Sequence, residues 1–127
     1  MCIFPPPKRK NKMPYTDLAP HILRQRLVVE GHVSENITAE QIKEYLTKLS
    51  EVTEMVTLCP PVTHASDKYG WAGWIHWETS GAHFYAWDAP DLFFSVDIYT
   101  CKAFDVARAV SFTKDFFEAI TMTYKEF

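Results

Sequence analysis

The sequence predicts an α/β fold, a two-layer sandwich in which an antiparallel sheet is covered by two helices, and three observations lead there. Apolar and polar residues alternate with the period of a strand over segments of the second half, most regularly from Leu92 to Cys101. Two other segments repeat apolar residues at the spacing of a helix. The chain has 127 residues, 47% of them hydrophobic, enough for one core and too few for two. The segments follow the order β-α-β-β-β-β-α-β, which suits one sheet with both helices laid against it.

Each element has its own local reason. Residues 1–17 are expected to form a flexible tail, because Pro5-Pro6-Pro7 and the basic run Lys8-Arg9-Lys10 favour an extended, solvated segment. The basic run reads as linker rather than as a patch for an acidic surface. Residues 18–127 then make a single domain. From His21 to Val33, aliphatic and β-branched residues alternate imperfectly around Arg24 and Arg26, as in a first strand. Thr38 and Gln41 have capping-box spacing, and Ile42, Tyr45, Leu46, Leu49 and Val52 follow at helical intervals, so this helix turns one face to the sheet. Met55 to Leu58 reads as a short second strand stopped by Pro60-Pro61.

A loop through Asp67 leads to strands Trp71 to Thr79 and Ala82 to Trp87, with Gly81 supplying backbone angles that other residues avoid. In the strand from Leu92 to Cys101, Leu92, Phe94, Val96 and Ile98 face one side, and Ser95, Asp97, Tyr99 and Cys101 the other. The apolar side should meet the helices and leave the polar side for chemistry or a partner. A second helix is predicted from Phe104 to Ala119, with Val106, Val110 and Phe117 on its apolar face, and Ile120 to Phe127 closes the sheet.

Composition narrows the function classes. A formal charge of -3 and a pI near 5.9 leave no basic excess to neutralise phosphates, so small molecules or proteins are expected as partners and nucleic acid is not. Cys2, Cys59 and Cys101 are odd in number and widely spaced, which argues against a disulfide framework and fits a reducing cytoplasm. No apolar run approaches membrane-spanning length, and no signal-peptide pattern opens the chain, so a soluble protein without a membrane partner is expected.

The densest chemistry lies between Tyr69 and Trp87, where Glu78, Thr79, Ser80 and Gly81 stand at a strand junction flanked by His76, His83 and Tyr85. Serine beside glycine is also ordinary turn chemistry, and a strand-end cysteine such as Cys101 suits a small buried hydrophobe as well as an acid. His64, His76, His83 and Glu78 are metal-capable donors, but their spacing fits no metal motif and no metal is expected. Trp71, Trp74, Trp77 and Trp87 suit a core or interface, and one or two of them suit a purine face. Asp97, on the polar strand face, suits a ribose hydroxyl, a substrate ammonium or a backbone N–H.

Taken together, the spacing of His64, Tyr69-Gly70, Gly73, Ser80, Trp87 and Asp97-Ile98-Tyr99-Thr100-Cys101 resembles the short prokaryotic S-adenosylmethionine decarboxylases. Their pattern reads H-x-x-x-x-Y-G-V-S-G, then E-S-H-x-x-x-H-T-W, then D-x-F-T-C-G. The resemblance covers roughly His21 to Phe127, needs no gap from Tyr69 to Trp87, and adds one residue between Trp87 and Asp97. It implies a self-made electron sink for decarboxylation: the serine hydroxyl attacks the preceding peptide carbonyl, the ester eliminates, the chain breaks and the serine becomes an N-terminal pyruvoyl group. Carried over by position, Ser80 is the pyruvoyl precursor and Cys101 the general acid. Glu78, His83 and Tyr85 would assist processing or substrate placement, and Trp87, Asp97 and His64 are candidate substrate-binding residues. The resemblance further implies S-adenosylmethionine as substrate, a role in polyamine synthesis and a homodimer.

Several positions depart from the pattern. The glutamate before the serine is Thr79, with Glu78 one place earlier; the next histidine is Gly81; the histidine five places on is Tyr85. Ala72 replaces a serine and Lys102 a glycine. Tyrosine, with an ordinary pKa near 10, is a weaker proton shuttle than histidine, but His83 shares its strand face. A one-residue shift would align Glu78-Thr79 with the family's Glu-Ser, and the gapless spacing favours Ser80. Two alternatives stay open: an unprocessed relative that binds S-adenosylmethionine or another ligand, and a pyruvoyl decarboxylase of a different amino acid.

Overall fold

A computed structural model describes residues 14–127, so most of the expected tail, residues 1–13, lies outside the described residues. The elements are β1 (Gln25–His32), α1 (Ala39–Val52), β2 (Val62–Ser66), β3 (Gly70–Trp77), β4 (Ser80–Trp87), β5 (Phe93–Thr100), α2 (Val106–Phe117) and β6 (Thr121–Glu126). They form one six-stranded sheet in the order β2-β3-β4-β5-β1-β6, every neighbouring pair antiparallel. The predicted α/β sandwich and its element order are therefore what the chain adopts. Among the described residues, no helix is long and apolar enough to cross a membrane.

The helices follow their local signals. Thr38 caps α1 by accepting the Gln41 N–H, while the Gln41 side chain accepts the Thr38 N–H in return. Asp105 caps α2 through the Arg108 N–H. Ile42, Tyr45, Leu46 and Leu49 are fully buried beneath α1. A Cβ at Gly73 would sit 2.5 Å from Ile42 Cγ2, so bare backbone there lets α1 close onto β3.

Both helices cover the same face of the sheet. Tyr45 joins them: its hydroxyl bonds Thr113 on α2 at 2.7 Å, and its ring lies 4.8 Å from that of Phe117 and 5.3 Å from that of Phe84 on β4. Burial pushes the Tyr45 phenol above its ordinary pKa, so it is a neutral core group. Trp77 is also fully buried, its indole N–H donating to Ser50 Oγ at 2.7 Å. Among the described residues no buried side-chain nitrogen or oxygen lacks a partner.

Three expectations need correction. Met55–Leu58 is not a strand; it makes one bridge, Thr57 to Trp77, and the second strand lies beyond the prolines at Val62–Ser66. That strand is an edge with no fully buried side chain, so it leaves no alternating apolar signal. The first strand starts at Gln25 rather than His21, because residues 19–22 form a turn closed by the Ile22 N–H on the Ala19 carbonyl. Finally, the loop between β3 and β4 is only Glu78-Thr79, which places Ser80 inside β4 opposite Trp77.

Candidate active site

The face of the sheet turned away from the helices carries Arg26 on β1, Trp74 and His76 on β3, His83 and Tyr85 on β4, and Asp97 and Tyr99 on β5. The ladder puts Trp74, His83 and Asp97 in one row across three strands, and His76, Gly81, Tyr99 and Arg26 in the next. A hollow of about 580 Å³ opens over these rows, with Ser80 at its edge.

Ser80 has an unusual backbone. Its φ of 141° lies where side chains other than glycine are rarely found, a strain on the order of 1–3 kcal/mol. The sequence assigned special backbone freedom to Gly81; the structure moves it one residue back. Gly81 is needed for space instead, because a Cβ there would stand 2.5 Å from the Ile75 carbonyl oxygen.

The Ser80 hydroxyl lies 3.6 Å from Cys101 Sγ, and the Cys101 N–H donates to the Thr79 carbonyl oxygen at 2.9 Å. Cys101 stands one residue past β5 and is exposed, which excludes the reading of a buried strand-end hydrophobe. One short segment thus presents a thiol to the serine oxygen and a backbone donor to the peptide carbonyl just before it. That donor is oriented as an oxyanion-type group would be if Ser80 attacked its own preceding peptide.

The other candidate residues divide. His83 lines the hollow with Ser80, and its Nδ1 lies 3.5 Å from the Tyr85 hydroxyl, linking Tyr85 to the same corner. Asp97 also lines it, but Arg26 engages both carboxylate oxygens, at 3.0 and 2.6 Å. This hydrogen bonding, with the attraction of the carboxylate, holds the guanidinium even further above its ordinary range. Glu78 sits on the exposed loop, its N–H on the Val56 carbonyl, and does not line the hollow. Trp87 is seven residues along β4 from Ser80, roughly 23 Å at strand rise, and packs on Phe93. His64 lies on the edge strand opposite Ala72. Neither lines the hollow at Ser80.

Of the tryptophans, Trp77 is core, whereas Trp74 is 42% exposed and lines the hollow. The possible metal donors are not gathered: among the described residues no group of three or more His, Cys, Asp or Glu side chains comes together. Sequence reasoning did not single out Arg26 or Tyr99. Their places depend on β1 pairing with β5 across more than sixty residues, which no local pattern reveals.

The sequence model of a family described as S-adenosylmethionine decarboxylase matches residues 26–127. No curated protein matches significantly in sequence. Among solved structures, the crystal structure of the adenosylmethionine decarboxylase from Aquifex aeolicus VF5 is similar with a TM-score of 0.68. The likeness covers 84% of this chain and 89% of that one, at 15% identity, which is a likeness of fold.

Proposed function

The chain belongs to the S-adenosylmethionine decarboxylase family, and we propose that it decarboxylates S-adenosylmethionine through a pyruvoyl group made from its own Ser80, supplying the aminopropyl donor of polyamine synthesis in the cytoplasm. One observation carries this reading: a strained Ser80 whose hydroxyl meets Cys101 Sγ, beside a Thr79 carbonyl already held by the Cys101 N–H. The residues present fit the group that the family implies.

In processing, the Ser80 oxygen attacks the Thr79 carbonyl carbon, and the Cys101 N–H takes the developing negative charge. The hydroxyl proton passes to the leaving amide nitrogen, the C–N bond breaks and an ester joins Thr79 to Ser80 Oγ. Loss of the Ser80 Cα proton then expels the Thr79 carboxylate, and water replaces the nitrogen as ammonia. His83, linked to Tyr85 and lining the hollow with Ser80, takes the role that the family gives to a histidine at the Tyr85 position. Once formed, the ketone supplies the electron sink that decarboxylation needs. Cys101 then holds the proton for the carbon that loses its carboxylate. Trp74 offers a face for the purine, and the Arg26–Asp97 pair forms the polar wall of the hollow. The exposed aromatic face, with Trp74 and Tyr99 each more than two-fifths accessible, is where a second copy would pack in a homodimer.

The test is the denatured mass of the purified protein under reducing conditions, before and after long incubation. Two fragments, 1–79 and 80–127, the second with a blocked N-terminus, are expected in place of the 14.7 kDa chain. Ser80→Ala should stay whole and release no carbon dioxide from S-adenosylmethionine. A parent chain that remains intact would overturn the reading. It would favour a relative that binds S-adenosylmethionine or another ligand without processing, the reading that the departures at Gly81, Tyr85 and Ala72 support. Cleavage without activity on S-adenosylmethionine would point to another amino acid as substrate.

A further inference from the structure

A set of bonds beside the Ser80–Cys101 contact remains to be explained. At the end of α1, the Met55 N–H donates to the Ser50 carbonyl at 2.8 Å and the Glu54 N–H to the Glu51 carbonyl at 3.1 Å, with Glu54 left-handed at φ 57°. This is the paired bonding of a Schellman cap. It buries Met55 and sends residues 56–58 along the end of β3. There the Val56 carbonyl accepts the Glu78 N–H at 2.8 Å, the Leu58 N–H donates to the His76 carbonyl at 3.0 Å, and Thr79 Oγ1 reaches Met55 Sδ at 3.3 Å. The segment is thus fastened to the hairpin that carries Thr79.

It is fastened on its other side as well. Lys102 Nζ donates to the Glu54 carbonyl at 2.6 Å, and the Lys102 carbonyl accepts the buried Thr100 hydroxyl at 2.7 Å. With the Cys101 N–H on the Thr79 carbonyl, the contacts close into a ring running from Lys102 to Glu54, through Met55 to Thr79, and back through Cys101. The Ser80–Cys101 contact lies against this ring.

We propose that Lys102 is a positioning residue: by tying the segment after β5 to the cap of α1, it keeps the Cys101 N–H on the Thr79 carbonyl and the Cys101 thiol on Ser80. The proposal rests on the roles given above to Ser80 and Cys101. Lys102 touches no reacting atom and acts through the backbone of Cys101. A glycine, which the family's pattern has at this place, could not make the bond. The ammonium is exposed, so the bond adds little to overall stability. Its leverage is geometric, since misplacing a reacting group by about 1 Å can cost on the order of 100-fold in rate.

Two variants and two readouts test this. Lys102→Met keeps the side-chain stem and removes the donor, while Lys102→Arg restores a donor. Followed by denatured mass, self-cleavage should slow by about 10- to 100-fold in Lys102→Met and recover to within about threefold in Lys102→Arg. In the Ser80→Ala background, which stays uncut, the Cys101 amide should exchange with solvent about tenfold faster in Lys102→Met and normally in Lys102→Arg, with the core Val29 amide unchanged. Unchanged Cys101 exchange, or equal cleavage rates in all three chains, would overturn the proposal. A parent chain that never cleaves would remove the decarboxylase reading and leave the amide exchange to decide the role of Lys102.

Discussion

Two faces of one sheet obey different rules, and β4 shows both within adjacent residues. Phe84 points to the helices, is fully buried, and stacks on Phe94 and Phe117 at 5.7 and 5.0 Å. His83 and Tyr85, its immediate neighbours, point the other way, where no helix covers them. The covered face is apolar, and its few polar atoms are all matched. The open face collects imidazoles, a phenol, an ion pair and an accessible indole over a hollow. Stability resides on one side of the strand, and reactive groups are gathered on the other.

Substitutions along β4 and its partners can break or sharpen that contrast. Phe84→Ala should have the largest effect on folding, a loss of about 3–5 kcal/mol in urea or thermal unfolding, because a buried ring leaves a cavity among three others. A loss under about 1 kcal/mol would mean that the covered face is not the stabilising one. His83→Ala, one residue away, should change stability by no more than about 0.5 kcal/mol, yet slow self-cleavage strongly, as read by denatured mass against time. Equal cleavage rates would take His83 out of the processing role.

Tyr45→Phe tests whether the covered face depends on its one inter-helix hydroxyl pair. Thr113 keeps a bond to the Ala109 carbonyl, so the cost should be about 1 kcal/mol rather than that of an orphaned group. The smallest effect belongs to neither face. Asp17, exposed before β1, has its carboxyl held below the ordinary carboxylate range, first by the Ala19 N–H and then by Arg24. A carboxyl with a lowered folded pKa stabilises the fold above its unfolded value and loses that contribution as pH falls through the folded value. Asp17→Asn should therefore shift the urea midpoint slightly at pH 7, and the difference from the parent should shrink below about pH 4. A gap that widened in acid would reverse the sign of this interaction.

What could be read in advance was what is local or periodic. The capping box at Thr38 and Gln41, the α1 stripe and the alternation of β5 lie within a few residues of one another, and all appear in the fold. The β2 strand escaped because an edge strand of exposed residues has no face to mark. Ser80 and Cys101 stood out by spacing alone; that their side chains meet depends on β4 pairing with β5. The unusual backbone was assigned to Gly81 because glycine signals conformational freedom, whereas here it signals a lack of room. Arg26 beside Asp97, and Lys102 on Glu54, join positions far apart in the chain, and neither residue type nor spacing announces such a bond.

The strand order has a consequence for molecularity. A break between Thr79 and Ser80 would leave β1, α1, β2 and β3 in one piece and β4, β5, α2 and β6 in the other. The sheet does not divide along that line, because β1 of the first piece is inserted between β5 and β6 of the second. The pieces would be interleaved, held by the β3–β4 ladder at one boundary and by both sides of β1 at another. A cut protein would stay assembled as a two-chain complex that cannot come apart without unfolding. Its melting temperature would then rise with protein concentration, and recovery after denaturation would become a second-order encounter between two chains rather than the folding of one.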